Sequence, residues 1–403
     1  MKKEFLDLGR QPIANKFLKE DEYEGEFFYD LKVIFDEDTK LVSLKDFVKP
    51  ELMFNEDYAY STSMSYPMVK HFELTANMLK EEFNPKTVLE IGSNDGPFIK
   101  NFDTEISICV EPCENFAKKT TDMGYRSYIS FWDTDVSHGI KEIHGEMDLV
   151  YAANCICHIQ NLDECFAAVK NILSKDGVFV FEDPSLLRML ERGSYDQIYD
   201  EHAHIFSIMA LDNILMNNGL KIFRVDNLSV HGGSNRVYVS HLPVHTFLRF
   251  RPVEISVREN LQKEDDFGLN EFKTYQEFAK RVEKSKNDLV ELLVKLKNDG
   301  KRIMSIGATS KSTTVFNYCG IGAAPWQTDL IEVITDTTPD KQGLVAPGSH
   351  IPVVDRESVN LNDYDYAFLG AWNFKEVIAD KEREFVENGG KFITHVPEVM
   401  VFS

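Results

Sequence analysis

The stretch Val88-Leu89-Glu90-Ile91-Gly92-Ser93-Asn94-Asp95-Gly96 constrains the fold more than any other part of the chain. The apolar run Val88 to Ile91 has the length of a strand buried on both faces and is too short for a helix. It breaks at Gly92 into a turn that also holds Gly96. Glycine there allows positive φ and lets backbone approach a ligand closely. A second apolar run, Ile106 to Val110, ends in Glu111-Pro112, about twenty residues past Glu90. A nucleotide-binding βαβ unit places at that distance the acid that bonds ribose hydroxyls. The turn has neither the full G-x-G-x-x-G pattern nor the lysine of a phosphate loop. With no cradle for a pyrophosphate, it fits S-adenosylmethionine better than NAD. An ordinary βα turn is the competing reading, and Glu111 favours the cofactor site. Glu90, Gly92, Ser93, Asn94, Gly96, Glu111 and Pro112 are the candidate cofactor residues, with Asn154 from a later strand end.

The pattern that follows is α/β. A helix is expected from about Ser65, with Pro67 in its first turn and Val69, Phe72, Ala76, Leu79 and Phe83 at helical spacing. Leu149 to Ala153 and Val178 to Phe181 read as strands, with a helix over Leu162 to Leu173 between them. Alternating strands and helices predict a mostly parallel sheet whose ligands bind beyond the carboxyl ends of the strands. Glu90, Glu111, Asn154 and Glu182 fall at such ends. Val225 to Leu242 reads as an antiparallel pair completing this domain. The charged run Glu264-Asp265-Asp266 reads as a linker, before a long amphipathic helix marked by Phe272, Phe278, Val282, Leu289, Leu293 and Leu296. A second α/β pattern follows, with strands at 302–307, 330–335, 364–369 and 391–394. Before all this, Leu6 to Asn15 is turn-rich and Phe27 to Phe35 alternates like strand material. The expected division is an opening lid or substrate segment over 1–67, a cofactor domain over 68–245 and a second Rossmann-like domain over 246–403.

Composition narrows the partners. A formal net charge of −22 over 403 residues argues against nucleic acid, which needs concentrated Lys and Arg. One local basic pocket would still serve a nucleotide-linked small molecule. Most of the six cysteines lie in or beside apolar runs and read as buried free thiols. Cys155-Ile156-Cys157 is spaced too tightly for a zinc knuckle, and no Cys or His precedes His71, so the opening segment has no Cys/His zinc site and no metal is expected. Met1-Lys2-Lys3-Glu4 leads into no signal-peptide pattern, and no apolar run is long enough to span a bilayer. A reducing, cytoplasmic setting, no membrane partner and a monomer or weak dimer are expected.

Tyr195-Asp196-Gln197-Ile198-Tyr199-Asp200-Glu201-His202-Ala203-His204 is the densest candidate for chemistry. Histidine titrates near neutrality and suits proton abstraction, and a neighbouring carboxylate can orient it. A metal reading would use Glu201, His202 and His204; a polar surface helix is the bland alternative. His158, on the loop after Asn154, is the second candidate. His231-Gly232-Gly233-Ser234-Asn235-Arg236, or a plain hairpin turn, is the third. Ser310-Lys311-Ser312, following Gly307, could hold an anion at a helix start or simply be a capped helix with a solvated lysine.

Taken in order, these residues resemble the sugar C-methyltransferases that act on nucleotide-linked 4-keto-deoxysugars. The resemblance runs over nearly the whole chain: Leu8-Gly9-Arg10-Gln11-Pro12, the Glu90 to Gly96 turn, Asn154 and His158, Tyr199 with Glu201-His202, and His231-Gly232-Gly233-Ser234. It continues through Gly307-Ala308 with Lys311, Lys341-Gln342-Gly343, Pro347-Gly348 and Trp372-Asn373. It implies a class I methyltransferase sheet, S-adenosylmethionine as cofactor and a role in deoxysugar biosynthesis. It also implies an acceptor pocket of Tyr60, His158, Tyr199, Glu201 and His202, with His202 as base and His231 and Lys311 beside the substrate. Two departures stand out. The family's N-terminal four-cysteine zinc module has lost its ligands, and Asp200 stands where histidine is common. The same scaffold could instead methylate oxygen or nitrogen, or survive as a binding protein; the retained Tyr199, Glu201 and His202 argue against the last.

Overall fold

The computed structural model describes residues 1–242 and 251–403, arranged around three sheets. The boundary expected between 245 and 246 lies outside the described residues. The central sheet has seven strands in the order Leu220–Leu228, Ser234–His241, Leu173–Pro184, Met147–Ala153, Val88–Ile91, Ser107–Val110, Arg126–Tyr128. The last five run parallel, and the first two form the antiparallel edge. Val88–Ile91 is buried throughout, as its unbroken apolar pattern requires. The chain leaves it toward Ser107–Val110 on one side and returns to Met147–Ala153 on the other. That reversal opens a crevice at the carboxyl edge, where doubly wound sheets bind ligands. Helix Tyr66–Phe83 begins after Ser65 with Pro67 in its first turn, and packs Phe72, Ala76 and Leu79 into the core.

The opening segment is more regular than its turn-rich sequence suggests. Lys2–Pro12 is a strand paired antiparallel with Phe28–Asp36. Register shifts at Glu4/Leu6 and Asp7/Arg10 absorb the turn residues, and Gly9 takes φ +72° in the second. The sheet is completed by Val42–Leu44 and, from far along the chain, His204–Ile205. The dense polar stretch 195–204 is thereby pinned inside the molecule. Asp196 and Tyr195 are fully buried, so the stretch is not a surface helix.

The charged run expected as a linker belongs to helix Ile255–Phe267. Glu264 is buried and accepts the N–H groups of Ile208 (2.7 Å) and Met209 (2.8 Å) at the start of another helix. An acid at a helix N-terminus meets unpaired donors, which explains why it is not solvated. Helix Phe272–Asn298 buries Tyr275, Phe278, Val282, Leu289, Leu293 and Leu296 in one core with the opening sheet and the third sheet. The third sheet has six strands, ordered Val353–Asp355, Ile334–Asp336, Ile303–Ile306, Tyr366–Leu369, Lys391–Thr394, Met400–Phe402, with only the last antiparallel. The strand expected at 330–335 is shorter and later, Ile334–Asp336. Among the described residues, no helix is long and apolar enough to cross a membrane.

Candidate active site

A cavity of about 770 Å³ lies over the carboxyl edge of the central sheet, lined from all three sheets and their loops. Its size is that of a small-molecule site. On the central-sheet side, Gly92 takes φ +69° and donates its N–H to Val110 O at 2.8 Å. A Cβ at Gly92 would stand 2.6 Å from Cys155 Sγ, so only glycine fits the turn. Glu111 is buried, and its carboxylate accepts the N–H groups of Asn94 (2.7 Å) and Cys113 (2.9 Å). Each oxygen keeps a further acceptor position, which suits the hydroxyls of a ribose. Ser93 Oγ is buried at the cavity without a partner, an unmet polar atom where a zwitterionic cofactor end could sit. These donors and acceptors fit S-adenosylmethionine. Glu90, Asn94, Pro112 and Asn154 also line the cavity, whereas Gly96 stands behind it against Met123 and Thr120. Glu90 braces the turn by accepting Ile99 N–H at 3.1 Å.

A segment of the opening region covers this half. Asn94 donates to Tyr60 O (2.9 Å) and accepts Thr62 N–H (3.0 Å). Asp95 accepts Ser63 N–H at 3.1 Å and the hydroxyls of Ser61 and Ser63. The Gly92 to Gly96 turn and its cover are therefore one hydrogen-bonded unit.

The other half of the cavity gathers His158, Tyr199, Glu201, His202, His231 and Lys311, with Tyr60 entering from the cover. His202 Nδ1 faces Gln197 O at 2.6 Å, which assigns the ring proton to Nδ1 and leaves the lone pair on Nε2. Tyr199 Oη lies 2.9 Å from that Nε2 and donates to it. Burial lowers the His202 pKa to about 4 against the help of the Gln197 bond, so the imidazole is neutral at pH 7. His158 stacks between Phe54 (5.3 Å) and His202 (5.4 Å), and its Nε2 is buried with no partner. His231 Nε2 is likewise unpartnered, and burial takes its pKa down to about 3.

Glu201 does not orient the imidazole. Its carboxylate accepts Asn15 Nδ2 (2.5 Å) and Tyr58 Oη (2.9 Å), while Gln197 O fixes His202. Neither do Glu201, His202 and His204 converge on a metal: the His204 ring turns to Gln160 O at 3.2 Å. Asp200 accepts Ala14 N–H at 3.0 Å, and burial followed by the Glu201 charge drives its pKa well above the carboxylate range. The neutral form is thereby favoured, so Asp200 adds little charge beside His202. Lys311 is half-buried: its Nζ lies 5.5 Å from the Trp372 ring, and Thr309 caps its helix by accepting Ser312 N–H.

Several lining residues escaped the sequence reading. Ser130 to Asp133 also line the cavity; Asp133, which caps helix Thr134–His144, was the available signal. Asn15 and Tyr58 reach Glu201 across 186 and 143 residues, and no local pattern marks them. Lys341, buried, donates to Ala308 O at 2.8 Å at the cavity wall. Asp336 accepts Ala308 N–H at 2.7 Å, so the third sheet brings its own strand-end acid to the same space.

Family models match the chain in three consecutive pieces: a zinc binding domain over 1–54, a methyltransferase domain over 66–225 and a C-methyltransferase C-terminal domain over 229–397. The first of these pieces contains neither Cys nor His here. The C-methyltransferase NovU of Streptomyces niveus is 32% identical, over 99% of this chain and 94% of that protein. Among solved structures, an S-adenosylmethionine-dependent methyltransferase from Clostridium acetobutylicum aligns at 14% identity over 43% of this chain and 92% of its own, with a TM-score of 0.33. The magnesium protoporphyrin IX methyltransferase ChlM from Synechocystis, with bound cofactor, aligns at 10% identity over 43% and 79%, with a TM-score of 0.32. The near full-length match to NovU and the ordered family models place this chain in the S-adenosylmethionine-dependent C-methyltransferase family.

Proposed function

We propose that the enzyme methylates the carbon beside the ketone of a nucleotide-linked 4-keto-deoxysugar, with His202 as general base. The observation that carries this reading is the His202 imidazole. It is buried, neutral and locked by Gln197 O with its Nε2 lone pair toward Tyr199, in the cavity that also contains Glu111. A carbon next to a carbonyl is acidic enough for such a base. Lys311, half-buried, and Lys341, buried, line the same cavity, and two lysine side chains there suit the diphosphate of a nucleotide sugar.

Glu111 would hold the cofactor ribose, and the Gly92 turn with Ser93 its methionine end. When bound, S-adenosylmethionine supplies an electrophilic sulfonium methyl. His202 Nε2 takes the proton from the carbon, and the electron pair passes to the keto oxygen. The Tyr199 hydroxyl turns from Nε2 to that oxygen and donates to it, with His158 as a second donor. Asn15 and Tyr58 hold the Glu201 carboxylate against the pocket wall, and the cover from Tyr60 to Ser63 excludes water from the developing carbanion. The imidazolium then returns its proton to solvent.

Incubation with a nucleoside-diphosphate 4-keto-6-deoxyhexose and cofactor carrying a carbon-13 methyl tests the proposal. The product should show one-bond carbon–carbon coupling between the new methyl and the sugar ring. A labelled methyl attached to oxygen or nitrogen would replace this reading with the alternative chemistry.

A further inference from the structure

Cys157 and His158 sit on the short turn Ile156–His158 that follows strand Met147–Ala153, and both turn toward His202. The Cys157 sulfur and one ring nitrogen from each histidine lie within 4.8 Å of one another. Among the described residues, this is the one group of three such side chains placed to share a metal ion. Two features single it out from a chance cluster. His158 Nε2 is buried with no hydrogen-bond partner, so no protein group competes for its lone pair. Behind Cys157, the Asp183 carboxyl is also buried and stands directly against the Cys157 thiol.

One thiolate and two imidazoles select a thiophilic borderline cation over magnesium or calcium. Zinc bonds of about 2.3 Å to sulfur and about 2.0–2.1 Å to nitrogen require the donor atoms to close by roughly 1 Å, within reach of side-chain rotation. A zinc ion with one thiolate would leave a single positive charge, and Asp183, next to Cys157, is the acid placed to balance it. His158 and His202 both line the cavity, so the fourth position faces it and stays open to water. The nitrogen His202 can offer is Nε2, because Nδ1 gives its proton to Gln197 O.

We propose that Cys157, His158 and His202 form a Zn²⁺ site whose occupation shuts off the enzyme, since one Nε2 lone pair cannot both bind metal and accept a proton. On binding, the Cys157 thiol loses its proton to solvent, the Tyr199 hydroxyl leaves Nε2, and no electrons are transferred. The binding half stands on the cluster alone; the shut-off half rests on the assignment of His202 as base.

Two readouts separate these halves. Untagged full-length enzyme, stripped with a chelator and dialysed, is titrated with Co²⁺ and then Zn²⁺. One equivalent of Co²⁺ should produce a thiolate-to-cobalt charge-transfer band that Zn²⁺ abolishes, and Cys157→Ser and Cys157→Ala should both lack it. One equivalent of Zn²⁺ should lower methyl transfer to a nucleoside-diphosphate 4-keto-6-deoxyhexose at least tenfold, reversibly with chelator. Cys157→Ala should keep its metal-free turnover and escape that inhibition. Absence of the band in the wild type, or its persistence in both variants, overturns the site. The band with undiminished or increased turnover overturns the shut-off. The cobalt spectrum decides the site even if the chosen acceptor is not turned over.

Discussion

Replacing Glu111 with alanine should damage the cofactor turn twice over. The carboxylate receives two backbone N–H groups, from Asn94 at 2.7 Å and Cys113 at 2.9 Å, in a site that is 4% exposed. Truncation leaves both amides without an acceptor, at about 1–3 kcal/mol each where water does not enter. The folded enzyme should therefore lose roughly 2–6 kcal/mol without any ligand present. The bonds to the ribose hydroxyls are charge-assisted and should account for about 1.5–3 kcal/mol of cofactor affinity, roughly a 10- to 150-fold rise in Kd. Calorimetry with S-adenosylhomocysteine reads the second loss, and urea melts of the ligand-free protein read the first. Melts come first, because affinity is measured only where the variant is folded. A folded Glu111→Ala enzyme that binds within threefold of wild type would refute the assignment of Glu111 to the ribose. An unchanged melt would refute its role as the clasp between the two turns.

Three further outcomes follow from the same geometry. Asp95→Ala should release the cover at Ser61 and Ser63 and speed S-adenosylhomocysteine dissociation at least tenfold in stopped flow; an unchanged rate would mean that Asn94 alone holds the cover. The acidic limb of kcat/KM should fall near pH 4, where free His202 is protonated, and a midpoint at 6 or above would exclude the buried neutral imidazole as the base. Burial lowers the His204 pKa to about 4, so between pH 6.5 and 4 the unfolded chain holds a proton there that the folded one does not. Stability therefore falls as pH drops through that window, and in urea melts wild type should lose about 1.4 kcal/mol per pH unit relative to His204→Phe.

How much of this was legible in the sequence depends on the reach of each contact. The Val88 strand, its glycine turn and the helix from Ser65 obey short periods and local stereochemistry, and a single window contains them. Glu111 is readable because a βαβ unit fixes its distance from the first strand. Glu264 was misread because a charged triplet looks solvated until the helix start at Ile208 is brought against it. Glu201 stands beside His202 in sequence, but consecutive side chains diverge: Asn15 and Tyr58 hold its carboxylate, while Gln197 O holds the imidazole. Those two partners, and the strand His204–Ile205 in the opening sheet, depend on the closing of the whole chain and leave no periodic trace. The opening segment shows the limit from the other side. Residues 1–54 match a zinc binding domain while containing none of the Cys or His that would bind zinc, and the hydrogen bonds of Ala14 and Asn15 to Asp200 and Glu201 join this segment to the stretch that contains His202.

The central claim is that His202 removes a proton from carbon. Solvent exchange tests it without methyl transfer. A nucleoside-diphosphate 4-keto-6-deoxyhexose is incubated in heavy water with enzyme and S-adenosylhomocysteine, which has no methyl to give, and NMR follows deuterium entering the carbon beside the ketone. Wild-type enzyme should exchange that proton, and His202→Asn should do so on the order of 10²–10⁴-fold more slowly while still binding S-adenosylhomocysteine. His158→Asn should retain most of the exchange. If His202→Asn exchanges at the wild-type rate and His158→Asn does not, the base is His158 and the account of the site is wrong.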